Sequence, residues 1–402
     1  MRVTTAFNRL LNLPGLSVTA VSFTDNGVVV EVRKTGRRLR CPCGWSATGR
    51  YDRSRRRWRH LDLGVHKVWI EADIDRLFCR RCDRVRTEQV PWARPGARQT
   101  KPFEQLVGYL AQRMDRSAVA ELARCSWRTV TDVIGRLVDS RSDDSRFDGL
   151  RRIGVDEIGY RRRRKFLTIV ADHDTGRVVW VGKGKDSAAL TSFFDALGPE
   201  RCAQIEAVSM DMGVAYTAAT AARLPDAKVC LDPFHLVKWA GEALERIFRS
   251  HALNREAKQF RKDRYLLRAA GENLSPEEST ELGRLRRTHE QIGRGYELKE
   301  GLRGLFRDVE PDQAKTYLDG WISEASDSQL PAFTQLARRI TKHYDGILNA
   351  VELGLSNSRL EGINGKIRLI NARGYGHHSA ESLASMIHLN LGGIRLELPT
   401  AT

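Results

Sequence analysis

Two aspartates stand in apolar surroundings, where a carboxylate usually has a chemical reason to be present. Asp156 lies inside the strand-like run Ile153–Tyr160, and burying its charge is costly unless it binds or pairs with a cation. Asp211 closes an apolar run that begins at Ile205, and open α/β sheets place their chemistry at strand ends. The alternative for Asp211 is a helix cap, because many strands end in an aspartate that caps the next helix.

Glu361 is a third candidate, on a helix that the spacing predicts from near Ser358. Its apolar stripe is Leu360, Ile363, Ile367 and Ile370, and its polar face is Asn357, Glu361, Asn364 and Arg368. The two faces lie about 110 degrees apart on a helical projection. An ordinary surface glutamate is the alternative, but asparagines are a poor choice for a plain helix surface. The polar face therefore favours a functional role.

Carboxylates that converge from two strands and a helix can form a two-metal site. Oxygen ligands suit Mg²⁺ or Mn²⁺, and two such ions would activate water or a 3′-hydroxyl and stabilise the leaving oxygen. The pattern predicts phosphoryl transfer, with Asp156, Asp211 and Glu361 as the catalytic residues and the ligands of both ions.

The elements around these residues indicate an α/β core divided by helices. From Arg151, three strand patterns precede a helix from Ser187, and further strands end at Asp211 and Asp232, which predicts a sheet with an antiparallel start. The charged, helix-forming stretch that follows is interpreted as an all-helical insertion. The expected parts are a first core segment at 150–235, the insertion at 236–350 and C-terminal core helices at 351–402.

Four early cysteines are spaced like metal ligands. They are Cys41, Cys43, Cys79 and Cys82. The two pairs bracket an alternating strand, so two chelating turns could share one tetrahedral Zn²⁺, and seven cysteines in all do not suit a disulfide framework. Only one residue separates the first pair, so His60 or His66 remains an alternative ligand. We expect a structural zinc ribbon-like module over residues 1–90, with unpaired thiols as the alternative.

The charge balance indicates a polyanionic partner. The chain has 402 residues, with 67 Lys and Arg against 50 Asp and Glu, a net charge of +17. The candidate DNA contacts between the cysteine pairs are Arg53, Arg55, Arg56, Arg57, Trp58 and Arg59. Guanidinium groups pair with phosphates, and aromatic rings can lie against sugars or bases. A solvated basic face is the alternative.

A helix-turn-helix module is predicted at 103–145, after a proline-rich linker at 91–102. Ser126 would cap the second helix. That helix would present Trp127, Arg128 and Thr131 to a DNA groove, although ordinary helix pairs share this spacing.

The sequence offers no run of about 20 apolar residues for a membrane span, and its N-terminus does not resemble a signal peptide. We therefore expect a soluble, cytoplasmic, nucleoid-associated protein without a membrane partner.

Several longer motifs carry a family resemblance. They are Gly154–Ile158, the strand ending at Asp211, Asp232–Lys238, Asn357–Arg368 and Ala372–Gly376. Together they resemble the ISL3 family of bacterial insertion-sequence transposases over nearly the whole chain. The resemblance implies a zinc-binding N-terminal domain, a helix-turn-helix domain, and an RNase H-like core split by a helical insertion.

In that family pattern Asp156, Asp211 and Glu361 take the places of the catalytic triad. Asp232 and His235 match an Asp/Cys-x-x-His motif that would support the site or contact DNA, with a helix cap by Asp232 as the alternative. Asn357 and Asn364 are further supporting candidates.

The resulting hypothesis is a DDE transposase, acting as a homodimer or higher oligomer. Residues 1–145 would bind terminal inverted repeats, and the core would cut the element ends and join them to target DNA. The candidate phosphate contacts near the core are the stretch Arg161–Lys165 and Lys366, Arg368 and Arg373. The alternatives are a DNA-binding regulator with an inert core and a nuclease of the same fold without strand transfer.

Overall fold

The computed structural model describes residues 2–36, 38–47, 49–140, 144–161, 165–211, 214–251 and 256–399. The chain divides into two compact units, residues 1–141 with 394–402, and residues 142–393. Within the predicted phosphate-binding stretch Arg161–Lys165, the three central arginines lie outside the described residues.

The first unit begins with helix α1 (Val3–Leu11) and a twisted sheet. Its strands are β1 (Leu16–Thr24), β2 (Gly27–Lys34), β3 (Leu39–Arg40), β4 (Ser46–Ala47), β5 (Asp52–Leu63), β6 (His66–Cys79) and β7 (Arg84–Thr87). The sheet order is β1-β2-β6-β5, with β7 on β6, while β3 and β4 pair separately. Alternate residues of β6, including Val68, Ile70 and Ile74, are buried, as the period-two pattern predicts.

Three helices complete the helix-turn-helix part of the first unit. They are α2 (Lys101–Ala111), α3 (Arg116–Leu122) and α4 (Trp127–Asp139). The Ser126 side chain accepts a hydrogen bond from the Thr129 amide at 3.1 Å, which is the predicted cap of α4. The apolar face of α4, including Val130 and Ile134, is buried.

Two segments of the first unit differ from expectation. The stretch 91–102, expected as a linker, contains Trp92, which is 0% exposed and packs edge-on against Trp58 at 5.7 Å. The prolines of this stretch interrupt its apolar period, but the Trp92 side chain still packs in the core of the first unit. The chain end from Ile394, expected with the catalytic core, belongs to this unit, where Gln105 Nε2 donates to the Glu397 carbonyl at 2.9 Å.

The second unit contains a five-stranded sheet with helices around it. Its first elements are a 3₁₀ turn (Asp144–Phe147), β8 (Arg152–Arg161), β9 (Lys165–Asp172), β10 (Val178–Lys183), α5 (Ser187–Leu197), α6 (Pro199–Cys202), β11 (Ala207–Met210), α7 (Val214–Arg223) and β12 (Lys228–Leu231). The strand order is β10-β9-β8-β11-β12. The first three strands are antiparallel, as predicted, and β11 runs parallel to both of its neighbours.

Helices occupy the chain between β12 and the helix that carries Glu361. They are α8 (Pro233–His251), α9 (Ala257–Arg268), a 3₁₀ turn (Gly271–Asn273), α10 (Pro276–Thr288), α11 (Glu290–Gly304), α12 (Ala314–Asp327), α13 (Pro331–Thr341) and α14 (Tyr344–Leu353). They surround a largely separate apolar core that includes Leu244, Trp321 and Phe333. The last two helices are α15 (Ser358–Arg373) and α16 (Ala380–Leu391). Among the described helices, none has the length and apolar character needed to cross a membrane.

Candidate functional site

The strand register brings three aspartates to the same level of the second sheet. The last parallel pairs are Met210 with Val155 and Met210 with Leu231. The next residue on each chain segment is Asp156, Asp211 or Asp232. Because neighbouring strands lie about 4.8 Å apart, these aspartates follow one another across the sheet edge.

Asp156 is a partly buried acid whose carboxylate accepts two hydrogen bonds. Its carboxylate accepts from the Glu157 amide at 2.8 Å and from Asn364 Nδ2 at 2.7 Å. Burial raises the pKa of Asp156 to about 6, and the negative charges of Glu157 and Asp211 act in the same direction. A cation bound beside Asp156 would lower this pKa, because the positive charge favours the ionised carboxylate.

Close packing of α15 on β8 carries Asn364 to Asp156. Gly154 makes the approach possible, because a Cβ there would lie 2.1 Å from Leu360 Cδ1. Asn364 is 4% exposed, and its Oδ1 is buried without a hydrogen-bond partner among the described residues. Glu361 is exposed and lies one helical turn before Asn364, on the same side of α15.

A buried hydrogen-bond network joins β11 to the start of α15. Ser209 Oγ donates to Asn357 Oδ1 at 2.6 Å, and the Asn357 amide donates to Asp232 Oδ1 at 3.3 Å. His173 Nε2 lies 2.7 Å from Ser209 Oγ. Since the hydroxyl proton of Ser209 points to Asn357, the Nε2–H group of His173 donates a hydrogen bond to Ser209 Oγ. Burial lowers the pKa of His173, which favours this neutral ring.

His235 extends the network to Asp211. Its Nδ1 lies 3.0 Å from Asp232 Oδ2, and its Nε2 lies 3.4 Å from Asp211 Oδ2. The hydrogen bond with Asp232 raises the pKa of His235, and the charge of Asp211 adds to this effect. One set of contacts therefore positions both Asp211 and the helix that carries Glu361.

Sequence reasoning did not identify Ser209 and His173. Neither stands in a motif with a chemical signature, and Ser209 meets Asn357 across 148 positions of the chain. Glu157, the next residue of β8, is half-buried, and its carboxylate lies 3.9 Å from Lys185 Nζ. The charge of Asp211 nevertheless raises its pKa, after the larger effect of burial.

The donor set at this edge fits a divalent cation. Asp156 and Asp211 supply hard oxygen ligands, and the unpartnered Asn364 Oδ1 adds an acceptor for a metal-bound water. The oxygens of Asp156, Asp211 and Glu361 do not all lie within 4.8 Å of one another, a spacing that the described residues reach only in the cysteine cluster. The structure thus brings the two aspartates to one edge, and Glu361 stands on the helix whose Asn364 contacts Asp156.

The four predicted zinc ligands lie together in the first unit, with all four sulfur atoms within 4.8 Å of one another. Cys41 Sγ is 3.9 Å from Cys82 Sγ, and Cys43 Sγ is 3.5 Å from Cys79 Sγ. Tetrahedral Zn²⁺ with bonds of about 2.3 Å requires S–S distances of about 3.8 Å, so the four thiols fit this ion.

The histidines considered as replacement zinc ligands lie outside this cluster. His60 Nδ1 is instead 2.8 Å from Thr100 Oγ1. Burial lowers the pKa of His60 to about 4. The geometry therefore favours the four-cysteine set over a site with histidine.

The arginines of β5 are less available to bind DNA than the sequence suggested, because several of them are paired or buried. Arg53 contacts Asp75 at 2.8 Å, and Arg55 and Arg57 both contact Glu71 across the sheet. Trp58 and Arg59 are 4% exposed and lie inside the unit. Arg56 is exposed and makes a hydrogen bond to Thr87.

The other predicted DNA contacts lie on helix surfaces. Trp127 and Arg128 are exposed in the first turn of α4, and the half-buried Thr131 donates to the Trp127 carbonyl at 3.2 Å. Lys366 and Arg368 are exposed on α15, and Arg373 is half-buried in its last turn.

We expect the Asp232–His235 contact to give a defined pH dependence of stability. Because the folded pKa of His235 is raised, its stabilising effect is fully present below the unfolded value near 6.5 and is lost as pH rises through the folded value. The difference in melting temperature between wild type and His235→Asn, measured in EDTA, should therefore shrink from pH 6 to pH 9. The exposed His66→Asn serves as the control, and a constant difference would contradict the assignment.

Comparison with known proteins agrees with these features. Residues 153–387 match a family model described as a transposase, and residues 88–138 match the helix-turn-helix domain of transposase family ISL3. The transposase for insertion sequence element IS1557 of Mycobacterium tuberculosis is 38% identical over 398 residues, covering 92% of this chain and 88% of that protein. The transposase for insertion sequence element IS1001 of Bordetella parapertussis is 26% identical over 359 residues, covering 88% of each.

The α/β sheet of the second unit and the helix-turn-helix of the first unit thus define a DNA-binding transposase. The chain belongs to the ISL3 family of transposases. Membership makes it a DNA-processing enzyme and implies a divalent metal ion. The sequence-based identification of the family is confirmed.

Proposed function

We propose that this chain is a DDE transposase that cuts the terminal inverted repeats of an insertion sequence and joins them to target DNA. The observation that carries the proposal is the placement of Asp156 and Asp211 at one sheet edge, next to the helix of Glu361. The strand order β10-β9-β8-β11-β12, with only β9 antiparallel to the central strands, supports an RNase H-like core. The helices α8–α14 are then an insertion in that core.

Asp156, Asp211 and Glu361 would hold two Mg²⁺ or Mn²⁺ ions. When bound, these ions would activate water or a 3′-hydroxyl and stabilise the leaving oxygen of a phosphodiester. Asn364 holds one oxygen of Asp156 through its Nδ2 donor, which orients the other oxygen. His235 would hold Asp211, since its Nε2 lies 3.4 Å from Asp211 Oδ2. Lys366, Arg368 and Arg373 supply positive charge for the DNA backbone along α15.

Arg55 would contact DNA only by exchanging Glu31 and Glu71 for phosphate, and Arg57 only by exchanging Glu71. The exposed cations of the first unit that have no carboxylate partner among the described residues are therefore the stronger candidates. The cysteine cluster would hold one structural Zn²⁺, since it keeps no open ligand position. A homodimer or higher oligomer would bring both ends together.

A strand-transfer assay tests this function. Wild type, incubated with terminal-repeat DNA and Mg²⁺ or Mn²⁺, should cleave the end and join it to a target. Glu361→Gln should retain end binding and lose on the order of a thousandfold in cleavage, because transition-state charge is no longer stabilised. Glu290→Gln, an exposed glutamate of α11, is the control and should remain active.

The other outcomes separate the remaining functions. Binding of ends by the wild type without cleavage would indicate a regulator with an inert core. Cleavage without joining would indicate a nuclease.

A further inference from the structure

A basic groove of about 770 Å³ crosses the first unit. It lies between the β5–β6 hairpin, residues 96–99 and the start of α4. Its charged lining residues are Arg56, Arg57, Arg59, Lys67, Arg98 and Arg124, and among the described residues no carboxylate lines it. Ser126 and Thr129 also line it, so the groove borders the first turn of α4, the helix predicted to read DNA.

Arg124 joins the helix-turn-helix to the hairpin. It is the turn residue between α3 and α4, with φ of +51°, a left-handed conformation that non-glycine residues adopt only when other contacts favour it. Its Nη1 donates to the carbonyl of Val65 in the hairpin turn at 2.7 Å and to Oδ2 of Asp62 near the end of β5 at 3.1 Å. The two elements therefore meet through a specific contact at one end of the groove.

The opposite wall is held to the same hairpin by backbone hydrogen bonds. The Arg59 amide donates to the Arg98 carbonyl at 2.9 Å, and the Thr100 amide donates to the Arg59 carbonyl at 2.9 Å. Gln99 accepts a hydrogen bond from Arg136 of α4 at 2.7 Å. The hairpin, the 96–99 segment and α4 thus form one connected frame around the groove.

The cations of the groove fall into two groups. Arg57 pairs with Glu71, while Arg59 and Arg124 share Asp62. Within the described part of the chain, Arg56, Lys67 and Arg98 have no carboxylate partner within 4 Å. No described carboxylate neutralises these three cations, so their positive charge is available to an external anion.

We propose that this groove binds the phosphate backbone of the same DNA duplex whose major groove receives α4, with Arg56, Lys67 and Arg98 as phosphate contacts. The proposal rests on the proposed binding of terminal repeats and adds how the hairpin takes part. Trp127, 46% exposed, and Arg128 stand in the first turn of α4, next to the groove. A helix that enters a major groove by its N-terminal end has a phosphate strand beside that end. The groove lies where this strand would pass.

The test measures the salt dependence of DNA binding by the full chain. Fluorescence anisotropy would give the affinity for a terminal-repeat duplex and for a scrambled duplex, from about 50 to 300 mM salt. A plot of log affinity against log salt has a negative slope. Lys67→Ala/Arg98→Ala should make this slope shallower by about 0.9 per lost contact, or about 2 in total. Both duplexes should lose affinity by similar factors, since phosphate contacts carry no sequence information.

Two comparisons make the result specific. Arg9→Ala/Arg33→Ala removes two exposed cations that do not line the groove, and it should leave the slope unchanged. Arg128→Ala should weaken binding to the terminal repeat more than to the scrambled duplex. If Lys67→Ala/Arg98→Ala folds poorly, Lys67→Gln/Arg98→Gln replaces it.

An unchanged slope in a folded groove variant, with normal repeat binding by wild type, would overturn the groove proposal and leave the proposed function intact. Failure of the wild type to prefer the terminal repeat would instead contradict end recognition, and the groove proposal with it.

Discussion

Asp156→Asn is expected to abolish strand transfer and, at the same time, to stabilise the metal-free protein. Raising the pKa of this acid from about 3.9 to about 6 makes its ionisation at pH 7 about 3 kcal/mol more costly than in the unfolded chain. Asparagine has one oxygen where Asp156 accepts two hydrogen bonds, so part of the gain is lost. The expected net gain is about 1–2 kcal/mol at pH 7.

The stability advantage of Asp156→Asn depends on pH, and a bound metal ion opposes it. Because the folded pKa is raised, the protonated acid contributes stability below the unfolded value near 4, and this contribution is lost as pH rises through about 6. The advantage of Asp156→Asn in urea unfolding with EDTA should therefore appear between pH 4 and pH 7. Saturating Mg²⁺ should stabilise wild type and leave the variant unchanged, because only wild type binds the ion.

Asp312→Asn is the matched control, because Asp312 is exposed and lies among the helices outside the site. It should show none of these changes. If Asp156→Asn were less stable than wild type in EDTA at pH 7, this result would contradict the free-energy cost assigned to the buried charge.

Cys79→Ser is expected to remove one bound zinc ion and to unfold the cysteine-containing part of the first unit. The buried residues of this cluster are only Leu39, Cys41, Leu77 and Cys79 among those described. So small an apolar core is marginal without a metal, whereas structural zinc supplies about 10–16 kcal/mol of apparent binding free energy in zinc-finger peptides. The loss should therefore exceed that of an ordinary buried substitution.

Metal analysis and limited proteolysis measure this effect. Wild type should contain one zinc per chain and resist cleavage between β3 and β7, and Cys79→Ser should lack the zinc and be cut there. Cys125→Ser is the control, since Cys125 belongs to the same unit but lies outside the cluster. Purified wild type without zinc would refute the assignment.

Local patterns were enough to locate most elements of both units. The alternation of β6, the cap at Ser126 and the apolar stripe of α15 depend on residues within a few positions of one another, and the structure agrees with each. The stretch around Trp92, expected as a linker, places that side chain in the core of the first unit. Its prolines removed the periodic signal, although its burial depends on partners such as Trp58.

Partner choice among the charged residues required the tertiary structure. The sequence shows a run of arginines in β5, but only cross-strand pairing with β6 reveals that Glu71 contacts Arg55 and Arg57. Lys67 and Arg98 stood outside that run, and folding places them in one groove with it. Charge composition therefore indicated a polyanion, while the fold decided which cations remain available.

By itself, the sequence determined the family, the order of the elements and the acids worth testing, because motifs and periodicity are local properties. The tertiary structure decided how those acids are held. Asn364 reaches Asp156 across 208 positions, and Asp211 is aligned with Asp156 by the pairing of β11 with β8. These contacts depend on sheet register and on the packing of α15 against Gly154, which no local pattern records.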